Sequence, residues 1–320
     1  MLSIMPAEIF EPNDQSIRNA AEILARGGIL GMPTETVYGL AADATNEKAI
    51  AEIYAVKNRP EFNPLIVHVL DTEMAKNYVV WNAYAEKLAS AFWPGPLTLV
   101  LPRTVGSPVS LLATAGLDSI AVRSPSHSVA RDILAALGKG IAAPSANRSG
   151  RISPTTAAHV VEELGDAIYC VIDGGACAVG IESTVISLLG NSPVLLRSGS
   201  ITPEDLEAVL QEKIQVSADE KILSPGQMLS HYSPSIAVRL NVKDPKPDEA
   251  LIAFGNKIPF GAKKTLNLSN RGDLKEAAAN LFATMRALDS PEFSGIAVMP
   301  IPDSGIGIAI NDRLKRAAYP

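Results

Sequence analysis

Residues 57–69, KNRPEFNPLIVHV, place two cations, an amide and an imidazole around the start of one strand. Lys57 and Arg59 flank Asn58 directly after a helical pattern over 46–56, and Pro60 stops that helix. Asn63 and Pro64 then open the apolar run Leu65-Ile66-Val67, which reads as a buried strand carrying His68. Cations held at such an edge suit a polyanion. The competing readings are a solvated helix end whose basic residues complement the helix dipole and, for His68, a satisfied core histidine.

Further polar loops follow other apolar runs. PTETVYGL, residues 33–40, carries two hydroxyls, a carboxylate and a phenol to a turn glycine, although an ordinary strand-to-helix turn has the same composition. APSANRSGRISPT, residues 143–155, presents Ser145, Asn147, Ser149 and Ser153; donor-rich loops of this kind can cradle phosphate, and plain turn chemistry also uses them. Arg123 and Arg197 each end an apolar run, a position suited to a carboxylate or phosphate contact as well as to a surface salt bridge. The motifs G-x-S-x-G, H-E-x-x-H and G-x-x-x-x-G-K-[ST] are absent, and Gly305 and Gly307 lack the third glycine of a dinucleotide turn. Chemistry without a protein nucleophile must come from positioning and charge neutralisation.

Short alternating elements must place these loops. Strand-like runs occur at 29–32, 65–70, 97–101, 119–122, 140–143, 168–172, 183–188 and 194–196. Helical patterns occupy 13–27, 46–56, 82–92, 128–137, 155–164 and 203–211. Some strands follow one another directly, so a mixed twisted sheet with packed helices fits better than a strictly alternating doubly wound domain. Residues 213–236 have linker composition but include the aromatic pair His231-Tyr232. Beyond them, strands at 236–240, 250–254 and 295–298 and helices at 273–288 and 309–318 suggest a smaller Rossmann-like unit. At 320 residues, 47% apolar and 19% charged, the chain reads as a packed protein of two domains.

Residues 1–215 hold 15 Lys and Arg against 23 Asp and Glu, a net of −8, whereas 216–320 hold 13 against 11, a net of +2. Bulk capture of nucleic acid is therefore not expected, while small anionic ligands are. Two cysteines without metal-ligand spacing, no signal-peptide pattern and no long apolar run point to a cytoplasmic protein outside the membrane.

PTETVYGL, KNRP-x-x-NPLIVH, WPGPLT, AVRSPSH, APSANRSG, GIESTVI, LLRSG and SHYSP occur in the order seen in the threonylcarbamoyl-AMP synthase family, which this chain resembles over most of residues 28–235. GIGIAINDRLKRAA, residues 305–318, is similar to the end of the second domain in that family's long form. The resemblance implies a YrdC-like catalytic domain at 1–213, a linker or lid at 214–235 and a Rossmann-like C-terminal domain at 236–320. It implies that L-threonine and bicarbonate give N-carboxythreonine, whose carboxylate attacks the ATP α-phosphate to yield threonylcarbamoyl-AMP and pyrophosphate. The product would pass to a tRNA threonylcarbamoyl transferase for t6A modification. By the same resemblance Thr36, His68, Arg123, the Ala143 backbone and Ser183 would hold threonine. Lys57, Arg59, Asn63, Ser119, Ser145, Asn147, Ser153, Arg197, His231 and Tyr232 would surround ATP with Mg2+, with Lys57 and Arg59 foremost. Two alternatives stand beside it: a carbamoyl-adenylate enzyme like the YrdC-like domains of hydrogenase-maturation proteins, and a non-catalytic RNA-binding module. The acidic first domain speaks against tight direct tRNA binding.

Overall fold

The computed structural model describes residues 7–60, 62–216 and 231–319. Its first part runs β1 (Glu8–Phe10), α1 (Asp14–Ala25), β2 (Leu30–Met32), β3 (Gly39–Asp43), α2 (Glu47–Lys57), β4 (Ile66–His68), α3 (Thr72–Lys76), α4 (Ala83–Phe92), β5 (Leu97–Pro102), β6 (Ser119–Arg123), α5 (Ser128–Leu137), β7 (Ile141–Ala142), α6 (Ala157–Leu164), β8 (Cys170–Ile172), β9 (Thr184–Ser187), β10 (Val194–Arg197), α7 (Pro203–Leu210) and β11 (Gln215–Val216). These strands form one mixed sheet in the order β1-β8-β2-β3-β7-β4-β6-β5-β9-β10-β11. The last part adds β12 (Val238–Arg239), β13 (Ala250–Ala253), β14 (Lys264–Asn267), α8 (Leu274–Leu288), β15 (Ile296–Val298) and α9 (Gly307–Ala317). Its strands make a second sheet, β12-β15-β13-β14, parallel throughout.

Local chemistry explains where the elements begin and end. Asn13 caps α1 and exchanges hydrogen bonds with Ser16, and Thr202 does the same for α7 with Asp205, ahead of Pro203. Asn46 caps α2, whose far end closes on Asn58 in the left-handed region at φ 50°. That closure decides the fate of the adjacent cations. Lys57 is 1% exposed and Arg59 8%, so the solvated helix end fails for both. The turn after Met32 leads into β3, antiparallel to β2, and not into a helix.

Each sheet has buried clusters of its own, and one further cluster joins the two units. Val37, Ile152, Ile181 and Tyr232 belong to the same buried cluster as Leu281, Phe282, Met285 and Ile310 of the second unit. Gly180 makes a close approach between the units. At φ 73°, it lies so near α8 that a Cβ would come within 2.4 Å of the Ala279 Cα. No helix among the described residues is long and apolar enough to cross a membrane.

Candidate active site

The site lies where the central strands of the large sheet end. β4 and β6 are parallel neighbours, and His68 is in register with Arg123. β4 ends on the imidazole and β6 on the guanidinium. The 33–40 loop is tied to the 143–154 loop by Leu40 N to Pro144 O (2.8 Å), Ala146 N to Tyr38 O (2.8 Å) and Tyr38 N to Pro154 O (2.9 Å). Together these segments enclose a cavity of about 50 Å³.

Arg123 is almost fully buried and already engaged. Its Nε donates to the Gly95 carbonyl at 3.2 Å and its Nη1 to Thr36 Oγ1 at 2.9 Å, while Nη2 lies 2.7 Å from Glu35 Oε1. Thr34 Oγ1 donates to the Val37 carbonyl at 2.6 Å, so in its 2.9 Å contact with Thr36 the Thr36 hydroxyl must be the donor. Thr36 thereby donates its hydrogen bond to Thr34 and accepts one from Arg123. Burial alone would raise the Glu35 pKa, but the Arg123 charge and hydrogen bond hold it below the ordinary glutamate value.

Arg59 and Arg197 line the same cavity from two other sides. Arg59 is braced by Nε to the Asn63 carbonyl (3.1 Å) and Nη2 to the Pro64 carbonyl (3.0 Å). Arg197 is braced by Nε to the Ser183 carbonyl (3.0 Å) and Nη2 to Ser183 Oγ (3.1 Å), and Ser183 Oγ also pairs with Thr98 Oγ1 at 2.7 Å. Burial pushes both guanidinium pKa values down to about 10, so both stay charged near neutrality. Carbonyl acceptors fix the planes of these groups without cancelling their charge.

Two imidazoles complete the lining. Burial, reinforced for His68 by Arg123, pushes the pKa of His68 down to about 3. Burial also pushes His231 down to about 3, although Glu182 opposes the shift. Both rings are therefore neutral, and among the described residues each has a buried Nδ1 with no hydrogen-bond partner. An orphaned buried ring nitrogen costs free energy that a ligand can recover.

Ten of the residues read from the sequence meet at this cavity: Thr36, Arg59, His68, Arg123, Ala143, Ser145, Ser183, Arg197, His231 and Tyr232. Five do not line it. Lys57 instead clamps the 143–149 loop, donating Nζ to the Ser145 carbonyl at 2.5 Å and to the Asn147 carbonyl. Asn147 uses its amide on the Arg148 and Arg151 carbonyls, at 2.8 and 2.9 Å. Asn63 lies beneath Arg59 through its carbonyl, and Ser119 opens β6 at the opposite end from Arg123. Ser153 donates to Glu182 Oε1 at 2.6 Å.

Glu35, Thr34 and Glu182 were missed as individual residues, although the loops holding them stood out. His231 and Tyr232 are in edge contact, with centroids 4.0 Å apart, and Tyr232 stacks on Phe282 of α8 at 5.3 Å. The rest of the expected lid, residues 217–230, lies outside the described residues.

Residues 22–199 match a family model described as "Telomere recombination" (Sua5_yciO_yrdC), and residues 201–319 match "Threonylcarbamoyl-AMP synthase, C-terminal domain". A Bacillus subtilis protein named threonylcarbamoyl-AMP synthase is 38% identical, with 96% of this chain and 94% of the relative covered. The crystal structure of P. abyssi Sua5 complexed with L-threonine superposes with a TM-score of 0.90 at 35% identity, covering 98% of each chain. T. kodakarensis HypF shares only the fold, with a TM-score of 0.52 at 22% identity over 59% of this chain and 24% of that one. Matched across both parts by family models and by full-length relatives, the chain belongs to the threonylcarbamoyl-AMP synthase family, of the long form.

Proposed function

We propose that this enzyme's cavity condenses L-threonine, bicarbonate and ATP into threonylcarbamoyl-AMP, with release of pyrophosphate and water. The observation that carries the residue assignment is the convergence of three buried arginines and two orphaned neutral imidazoles on one cavity. Arg123 retains a second hydrogen on each terminal nitrogen and can take the threonine carboxylate beside Thr36. Neutral His68 Nδ1 can accept from the substrate's amine or hydroxyl. The Ala143 backbone and Ser183 border the same space.

The amine and bicarbonate first give the carbamate and water. A carbamate oxygen then bonds to the α-phosphorus as the bond to the pyrophosphate oxygen breaks. Arg59 and Arg197 would neutralise the departing charge, and neutral His231 lines the same cavity as His68. Lys57 and Asn147 would act through the loop they hold, with Ser145 presented from that loop to the nucleotide. Tyr232 supports His231 from behind. A labile mixed anhydride benefits from a site that excludes water.

Mg2+ fits as an ion carried by the nucleotide. Glu182 is the carboxylate lining the cavity, and both its oxygens are already taken by Ser153 and Arg313. No group of three or more potential metal ligands occurs among the described residues. ATP phosphates and water would therefore supply most of its coordination shell.

We further propose that the product goes to a separate tRNA-modifying transferase in the cytosol, since the acidic larger unit gives little support for tight tRNA binding. Buried free Cys170 and Cys177 suit a reducing compartment. Incubation with ATP, labelled bicarbonate and threonine should give a labelled AMP adduct that vanishes without threonine. Pyrophosphate release indifferent to threonine would overturn the reading.

A further inference from the structure

Arg313 belongs to α9, in the helical layer of the smaller sheet, yet its side chain is fully buried against the wall of the cavity. Its Nε donates to Glu182 Oε2 at 3.0 Å, and its Nη1 donates to the Ser198 carbonyl at 2.8 Å and to Asp312 at 3.0 Å. Its Cζ lies 5.8 Å from the centroid of the Tyr232 ring. Glu182 itself lines the cavity, and its other oxygen accepts the Ser153 hydroxyl. One guanidinium from the second unit thus orients a carboxylate, a serine and an aromatic ring at the site.

A carboxylate facing a cavity that takes a polyphosphate needs a compensating charge. The cations that act most strongly on Glu182 are Arg313 first and Arg197 second. Without Arg313, Glu182 either presents its charge to the phosphates or turns onto Arg197 and withdraws that cation from them. Both outcomes weaken nucleotide binding and leave the Thr36 and Arg123 side of the cavity intact.

We infer that Arg313 is a positioning residue for the nucleotide, holding Glu182 neutralised and turned against Ser153 so that the phosphates meet Arg59 and Arg197 and not an unpaired carboxylate. This gives the C-terminal unit a direct part in the site. It rests on the assignment of ATP to the Arg59 and Arg197 side proposed above.

The test is calorimetric titration of the full chain with ATP and, separately, with threonine. Arg313→Met should raise the ATP dissociation constant by about tenfold or more and the threonine constant by less than about threefold. Arg313→Lys, which keeps the charge but loses the fork, should fall between Met and wild type. The decisive variant combines Arg313→Met with Glu182→Gln. If the harm comes from the unpaired carboxylate, the second substitution restores most of the ATP affinity, which a merely structural role would not produce. Equal weakening of both ligands, or a double variant no better than Arg313→Met, overturns the inference. If Arg313→Met fails to fold, a folded double variant with near-wild-type ATP affinity supports the inference, and failure of both to fold overturns it. Because binding is read without turnover, a wild type that binds ATP and shows this pattern but ignores threonine would refute the proposed reaction alone.

Discussion

Replacing Glu35 by glutamine tests how the Arg123 side of the site is held. Glu35 and Arg123 meet at 2.7 Å with side chains 10% and 4% exposed, so solvent screens the pair little. At an effective dielectric of about 20, the gross attraction is about 6 kcal/mol, offset by the desolvation of both ions. Breaking such a pair from one side costs about 3–5 kcal/mol, and the glutamine carbonyl returns part of that as a neutral acceptor. We expect a net loss of about 2–4 kcal/mol at pH 7, read as a lower urea midpoint at unchanged slope.

The sign of the pH dependence follows from the lowered Glu35 pKa. Its contribution is fully present above the unfolded value of about 4.3 and is lost as pH falls through the lower folded value. Wild type and variant should therefore converge on acidification below about pH 4. On the proposed assignment, threonine should raise the variant's midpoint more than the wild type's, its carboxylate replacing the missing anion beside Arg123. A difference under about 0.5 kcal/mol at pH 7, or one that widens in acid, would refute this account of the pair.

Other expectations are simpler to check. Lys57→Met should remove the clamp on the 143–149 loop, cost about 2–3 kcal/mol and speed amide exchange at Ser149, whose N–H bonds the Lys57 carbonyl at 2.8 Å. His68 and His231, both pushed down to about 3, should titrate mainly on unfolding. Because the unfolded chain binds protons first below about pH 6.5, stability should fall from there toward acid, and a His68→Phe variant should show a shallower decline in urea midpoints. Gly180→Ala should destabilise by more than about 3 kcal/mol, since its Cβ has no room against α8. A thermal melt unchanged by that substitution would contradict the close approach.

Much of this was legible in the sequence because buried strands ending in polar residues announce themselves. The apolar runs before His68, Arg123 and Arg197 became β4, β6 and β10, and most helices lie within a residue or two of their expected bounds. β3 was not legible. Its sequence Gly-Leu-Ala-Ala-Asp offers no β-branched or aromatic residue, and complete burial supplies what propensity does not. β14 escaped for the opposite reason, as an edge strand with exposed Lys264 and Thr265.

Residue type also gave charge without direction. The type and position of Lys57 suggest a phosphate cation, and do not reveal that its Nζ donates to the carbonyls of its neighbouring loop. Arg313 lies 131 positions from Glu182, and no local pattern in an amphipathic helix marks a residue that crosses to another unit.

The register of His68 against Arg123 limits how this pocket can diverge. Adjacent backbone ladders keep their Cα atoms roughly 5 Å apart whatever side chains they carry. The interval between the Arg123 guanidinium and the imidazole is therefore a property of the sheet. Substitutions at Thr34, Ile66 or Thr36 can change what fills that interval, but its width can change only if strand pairing slips, which would turn every side chain of β4 to the opposite face. Redesign toward a larger amino acid would have to begin with the loops that cap the ladder.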